Sequence, residues 1–360
     1  MIQNHKDNLH CYSDQNIQNA LSKTNLDLSD FCALISPKAD NYLETMATKA
    51  QNITRNRFGY GVALFAPLYI SNFCYNQCVY CGFSMELDIK RHLLSDTEIH
   101  KEAKLLKEKG FDHILLLTGE APNKAGVSEI AKAIGILKNY VSEVGIEVQP
   151  MKEEQYKTLI DAGCDYLAIY QETYHKETYK EVHKAGKKRN FNYRLDAADR
   201  GGRAGFYKLN VGALLGLYDW HYEAIALFDH IKHLEKHYWQ SKLSLSIPRL
   251  RPFAGCYSPK HPISDKDLLK FILAMRLCFP DLGISLSTRE PAKLRDNLIS
   301  ICITQMSAES KTEPGGYSGK EALKQFEISD SRSLASICQL LEKKGLEPIL
   351  KDWDKAYLAL

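Results

Sequence analysis

The sequence predicts an α/β fold: a closed (β/α)8 barrel of the TIM type, with an N-terminal helical extension and a short C-terminal α/β tail. Three observations lead there. Eight short apolar runs alternate with helix-patterned segments between residues 62 and 306, and such alternation implies a parallel sheet. A span of that length matches a closed barrel of eight units. Polar residues collect just after the apolar runs, on the side where barrels of this kind hold their chemistry. The expected divisions are a helical extension over 1–60, the barrel over 61–312, and an extension over 313–360 that packs on the barrel.

In chain order, residues 1–60 read as mostly helical. In "YLETMATKAQNITRNRF" (42–58), Leu43, Met46, Ala47 and Ala50 fall on one helix face. The expected strands are 62–70, 113–118, 145–149, 166–171, 208–215, 244–249, 283–288 and 301–306. Between them run amphipathic patterns. One is "DTEIHKEAKLLKEKG" (96–110), closed by a glycine. Another is "SDKDLLKFILAMRLCF" (264–279), opened by a serine N-cap. The strand ends carry the triple-cysteine loop, "TGE" (118–120), "QP" (149–150), "YQET" (170–173), "GALLGL" (212–217), "PRLRP" (248–252), "STRE" (287–290) and "SAESK" (307–311).

Composition narrows the function. The chain of 360 residues is 44% hydrophobic and 25% charged, as soluble globular proteins are. A net charge of +3 with mixed signs gives no reason to expect nucleic acid or an anionic membrane as partner. The polar N-terminus lacks a signal-peptide core, and no run approaches 18 apolar residues. A cytoplasmic setting, with reduced thiols, is therefore expected.

The loop "SNFCYNQCVYCGFS" (71–84) places Cys74, Cys78 and Cys81 as C-x3-C-x2-C, while the other seven cysteines are scattered singly. A structural zinc normally takes four N/S ligands. No second C-x2-C lies nearby, and His92, the nearest fourth ligand, fits no finger spacing. Thiolates are the usual ligands of a four-iron cubane, normally four of them. Three would leave one iron open, and an open position marks a metal site that does chemistry. A structural metal knot and an iron–sulfur electron carrier are the alternatives from other functional classes. A carrier would need all four corners capped by protein.

With the aromatic Tyr80 before its last cysteine, this loop resembles that of the radical S-adenosylmethionine superfamily. The resemblance implies one [4Fe-4S] cluster held by Cys74, Cys78 and Cys81, with S-adenosyl-L-methionine on the open iron. One-electron cleavage of that cosubstrate gives a 5′-deoxyadenosyl radical. "TGE" resembles the superfamily's G-G-E motif, so Gly119 and Glu120 are expected at the methionine ammonium. Glu172 and, 22 residues on, Arg194 resemble the acid and arginine that bind ribose and the methionine carboxylate. Leu214 in "GALLGL" is expected against adenine.

Further motifs are "LLLTGEAP", "IEVQPM", "YQETYH", "VGALLGLYDW", "YWQSKLSLSIPRLRP", "ISLSTRE", "PGGY", "QFEISDSRS" and the terminal "KDWD". Together they resemble the 2-iminoacetate synthase family, the tyrosine lyases of thiamine thiazole biosynthesis. The resemblance implies cleavage of the Cα–Cβ bond of L-tyrosine to 2-iminoacetate and p-cresol. It also implies a flavodoxin or ferredoxin as electron donor and the thiazole synthase as protein partner. The substrate carboxylate calls for cations. Arg289 is the first choice, then Arg249 and Arg251, with Ser307 and Ser310 as hydrogen-bond donors. Tyr170, Gln149 and Tyr317 are weaker candidates for the cavity wall. The hydrogenase-maturation and tryptophan lyases share this chemistry. The former carry a second cluster on a C-terminal cysteine motif, whereas only Cys338 follows the barrel here.

Overall fold

The structure, a computed structural model, describes residues 2–319 and 322–351. The last residues of "KDWD" lie outside the described residues. Eight parallel strands close on themselves: β1 Gly61–Ser71, β2 His113–Thr118, β3 Glu143–Glu147, β4 Tyr166–Glu172, β5 Lys208–Ala213, β6 Lys242–Ser246, β7 Gly283–Leu286 and β8 Gln305–Ser307. Each pairs with the next, and β8 returns to β1 through the register Ala63↔Gln305 to Phe65↔Ser307. The (β/α)8 barrel is therefore closed. A short strand, Glu347–Ile349, adds in parallel to the start of β1.

Period-two alternation separates the two faces of the wall. Leu64, Ala66, Leu68 and Ile70 of β1 belong to the large core between strands and helices. Phe65 and Tyr69 join Leu115, Leu117, Tyr166 and Ala168 in a second cluster inside the barrel. Gly145 is required there, because a Cβ on it would come within 1.9 Å of the Tyr166 ring. Tyr166 thus fills the lumen at that level and leaves space above it.

The helices start and stop where local chemistry says they should. Asp96–Glu108 opens with a capping box between Ser95 and Glu98, and Gly110 follows at φ +101°. Asp265–Cys278 opens with the Ser264 side chain accepting from Asp267 N–H. The N-terminal helices Ile2–Asp7, Leu28–Ile35 and Leu43–Phe58 lie against the barrel helices, and Asp14–Ser22 packs on Leu28–Ile35. Lys266 and the buried Lys270 both reach Asp40, at 2.6 and 2.7 Å. On the other side Asp330 meets Arg295, both fully buried, and Arg332 meets Asp296 at 2.7 Å.

Five strands differ from expectation by two residues or more; β5 and β7 end two residues early, at Ala213 and Leu286. β3 and β6 begin two residues earlier than expected and end before "QP" and "PRLRP". Proline cannot donate to the ladder, so Pro150 and Pro248 stand in loops. The eighth strand is Gln305–Ser307, not 301–306. Cys302 and Ile303 are buried, but in the turn after the helix Ala292–Leu298. A short apolar run reads alike as strand or as buried helix end.

Candidate active site

The site lies at the C-terminal ends of the strands, above Tyr166. Its roof is the cysteine loop after β1. Cys78 is buried and sits in a two-residue ladder, Gln77–Cys78, paired antiparallel with His183–Ala185. Cys81 and Cys74 border the inner apolar cluster. The loop is fixed by Arg91, which donates to the carbonyls of Asn72, Phe83 and Ser84 at 2.7–2.8 Å. Burial pushes the Cys74 thiol up to about 11, with the Glu120 and Cys81 charges adding to it. Cys78 and Cys81 are likewise raised by burial.

Gly119 makes the close approach of β2 to this loop possible. Its N–H donates to Ser71 O at 2.9 Å, and a Cβ on it would fall 2.3 Å from Phe73 O. Two N–H groups point at the Cys81 sulfur: Phe83 N–H at 3.4 Å and the Gln325 amide at 3.6 Å. Gln325 also accepts from the Tyr69 hydroxyl at 2.7 Å, and its carbonyl accepts from Gly82 N–H at 2.9 Å. The segment after the barrel thus grips the cysteine loop.

Beneath the loop lies a buried charge network. Arg194 donates to Glu120 at 2.7 Å and to Glu172 at 3.3 Å, and Lys188 donates to Glu172 at 2.6 Å. Asn76 of the cysteine loop donates to the other Glu120 oxygen at 2.7 Å and accepts from Lys188 N–H at 3.0 Å. Burial alone would push the Glu172 carboxyl up, but Lys188 and Arg194 hold it at about 2. Glu172 has φ +70°, rare for a side-chain-bearing residue and a strain that clusters at functional sites. Tyr80 joins the network from the roof. His183 donates from Nδ1 to Tyr179 O at 2.8 Å, which leaves Nε2 to accept from the Tyr80 hydroxyl at 2.7 Å. Burial, then the nearby Lys188, holds His183 down at about 3, so it is neutral. Leu214 packs with Cys78 and Tyr80.

The cavity below is lined by Tyr69, Tyr80, Cys81, Tyr170, Glu172, Leu214, Arg289, Ser307 and Ser310. Arg289 is enclosed there with its guanidinium 3.3 Å over the Phe326 ring. Ser307 Oγ accepts from Thr288 N–H at 3.1 Å, and Ser310 Oγ is buried without a partner. Arg249 and Arg251 do not line this cavity. Arg249 is taken up by Glu290 and by Asp265 at 2.7 Å. Gln149 borders a neighbouring cavity behind Glu120 and Arg194. Tyr317 is spent on Pro67 O at 2.9 Å, and His92 on Glu98 at 3.1 Å.

Three cavity residues were given no role: Lys188, in no motif, and Glu147 and Gln325, which stand in "IEVQPM" and "QFEISDSRS". Lys188 is hidden in the basic run "KKR" (187–189), which reads as a solvated surface. Glu147 could have been found by parity, since it is two residues beyond Gly145 and so faces the lumen. Gln325 opens "QFEISDSRS", but nothing local ties that motif to the cysteine loop.

The donor set suits an iron–sulfur cluster with a polar cosubstrate. Three thiols lie on one clamped loop, and beside them stand buried acids, buried cations and the orphaned hydroxyls of Thr118 and Ser310. Among the described residues, no three His, Cys, Asp or Glu side chains converge on a single ion position. A cubane does not require that, because each thiolate takes a different iron.

Residues 68–228 match the family model described as the Radical SAM superfamily, and 246–347 match the Biotin and Thiamin Synthesis associated domain. The chain is 43% identical to a 2-iminoacetate synthase of Escherichia coli (strain K12), covering 94% of this chain and 90% of that protein. It superposes on a crystal structure of HydG, a maturase of the [FeFe]-hydrogenase, with a TM-score of 0.91 and 32% identity, covering 97% of this chain and 80% of that one. Methylornithine synthase (PylB) shares the fold, with a TM-score of 0.76 at 22% identity over 96% of this chain and 100% of that one.

Proposed function

The chain belongs to the 2-iminoacetate synthase family of radical S-adenosylmethionine enzymes, and on that premise we propose that it cleaves the Cα–Cβ bond of L-tyrosine. The products are 2-iminoacetate and p-cresol, with 5′-deoxyadenosine and methionine, and the imine serves thiamine thiazole synthesis. When bound, a [4Fe-4S] cluster on Cys74, Cys78 and Cys81, together with S-adenosylmethionine, supplies the radical that takes a hydrogen from the substrate. Everything else falls to the residues of the cavity.

Glu120, Glu172, Arg194 and Lys188 form a preorganised polar wall for the cosubstrate's ammonium, carboxylate and ribose. Their mutual ion pairs hold them in place before it arrives. Leu214 and Tyr80 supply the apolar face beside it. Arg289 receives the tyrosine carboxylate, since a planar fork binds a carboxylate in two places. Ser310 Oγ, buried and unpartnered, is the next donor. The aromatic ring takes the apolar lumen over Phe65, Leu115 and Leu117.

A small low-potential donor such as a flavodoxin or ferredoxin delivers the electron, and the thiazole synthase takes the imine before water hydrolyses it. We place this chemistry in the cytoplasm; among the described residues no helix is long and apolar enough to cross a membrane.

The observation that carries this reading is the enclosed Arg289 under the Cys81 end of the clamped loop, within one cavity. Anaerobic reconstitution, reduction and addition of S-adenosylmethionine and L-tyrosine tests it. Deoxyadenosine and p-cresol are expected together. Deoxyadenosine without p-cresol would remove tyrosine as the substrate, and an intact cluster yielding neither product would favour an electron carrier.

A further inference from the structure

Among the described residues, three carboxylates line the cavity: Glu147, Glu172 and Glu290. Two are committed. Glu172 is held by Lys188 and Arg194, and Glu290 by Arg249. Glu147, at the end of β3, has no hydrogen-bond or ion-pair partner among the described residues. Arg289 is its counterpart in sign. Its guanidinium rests on the Phe326 ring, with no carboxylate within ion-pair distance among the described residues. The two share one cavity and sense each other's charge, yet they do not touch.

A charge drawn partly out of water without a partner is costly, and natural sites rarely keep one without a use; Glu147 and Arg289 are each half-buried in the cavity wall. Here there is one of each sign, separated by open space. That is the electrostatic complement of a zwitterion. An α-amino acid carries its ammonium and carboxylate on the same carbon, so it can bridge such a pair and leave its side chain free to descend into the lumen.

We infer that Glu147 is the receptor for the substrate's α-ammonium group, working opposite Arg289, which takes the α-carboxylate. The inference rests on the tyrosine lyase reading and adds the residue that orients the reacting end of the substrate. Specificity for a free amino acid follows. An amine without the carboxylate leaves Arg289 unpaired, and an acid without the amine leaves Glu147 unpaired.

The protonation of Glu147 agrees with this role. Burial pushes its carboxyl up to about 7, and the Glu172 charge adds to it. Arg289, Lys188 and Arg194 pull the other way. Tyr69 on β1 and Tyr166 and Tyr170 on β4 also face it. A carboxyl raised in this way changes its protonation near neutral pH. Substrate binding should tighten as pH rises through that value, because the charged carboxylate is the form that pairs with ammonium.

The test uses reconstituted holoenzyme with S-adenosylmethionine and measures equilibrium binding by calorimetry. Four ligands are compared: L-tyrosine, tyramine, which lacks the carboxylate, 3-(4-hydroxyphenyl)propanoate, which lacks the amine, and L-phenylalanine, which lacks the hydroxyl. Glu147→Gln is expected to weaken L-tyrosine at least tenfold while leaving the propanoate unchanged. It should also remove the pH dependence of tyrosine binding near 7. Glu147→Asp should keep part of both. Equal loss for tyrosine and the propanoate, or loss for neither, would overturn the inference. So would a variant that now binds L-phenylalanine as well as L-tyrosine, since Glu147 would then serve the phenol. If the wild type fails to bind L-tyrosine, the tyrosine lyase reading itself falls, and the two failures are told apart.

Discussion

Replacing Lys188 by methionine removes a buried ammonium 2.6 Å from Glu172 and keeps most of the side-chain volume. Glu172 is left with Arg194 at 3.3 Å, and Arg194 is shared with Glu120. In the intact network Glu172 is held at about 2, against an ordinary 4.5. Such a difference is worth about 3 kcal/mol in favour of the folded state. Removing one partner of a buried pair costs about 3–5 kcal/mol, because the other charge is stranded. Lys188→Met should therefore destabilise the cluster-free enzyme by about 3 kcal/mol at pH 7. The sign follows from linkage. A depressed carboxyl contributes stability above its unfolded value of about 4.5, and that contribution fades as pH falls through its folded value. The variant's deficit should accordingly shrink as pH is lowered below about 4.5. Urea unfolding of wild type, Lys188→Met, Glu172→Gln and the double variant closes a thermodynamic cycle. The double variant should recover at least about 1 kcal/mol of the summed losses. A single-variant loss below about 1 kcal/mol, as for an exposed pair, would refute the buried-network argument, as would strict additivity.

Three further outcomes follow from the same geometry. Gly119→Ala would put a methyl group 2.3 Å from Phe73 O, so it should displace the cysteine loop and lower the iron content per chain after reconstitution, with a reduced melting temperature. Gln325→Leu removes a donor from the Cys81 sulfur and the acceptor for Tyr69, and with less positive potential at the thiolate the cluster should be harder to reduce. Redox titration followed by EPR should show a more negative midpoint, and an unchanged midpoint would dismiss the N–H···S contact. Glu147 is raised from 4.5 to about 7, so the free enzyme loses stability as pH rises through that window. Glu147→Gln should then melt higher than wild type at pH 8 by the equivalent of about 3 kcal/mol, and no higher at pH 4.

Much of the fold was legible because two periods coexist in the chain: near-continuous apolar strands and amphipathic helices with clear caps, such as Ser95 with Glu98 and Ser264 with Asp267. The eighth strand was misplaced because burial of Cys302 and Ile303 comes from packing beneath a helix end, which local sequence cannot distinguish from a ladder. At the site, residues that the family resemblance marks were readable: Gly119 and Glu120 in "TGE", and Glu172 with Arg194. Arg289 was the first choice for the carboxylate and Arg249 the next, and only Arg289 lines the cavity. Asp265 and Glu290, distant from Arg249 in the chain, claim its guanidinium. Lys188 was invisible for the same reason, and Gln325, though inside a motif, had no readable role. Their roles come from what the barrel brings beside them, Glu172 in one case and Cys81 in the other.

The central claim is that the clamped loop and the cavity beneath it cut tyrosine between Cα and Cβ. Anaerobic turnover of uniformly 13C-labelled L-tyrosine, with products resolved by mass spectrometry, tests this most directly. The nine labelled carbons should divide into a seven-carbon p-cresol and a two-carbon fragment, recovered as glyoxylate once the imine hydrolyses, in equal amounts with 5′-deoxyadenosine. Labelled one-carbon products in place of the two-carbon fragment, or deoxyadenosine with all nine carbons still joined, would contradict it.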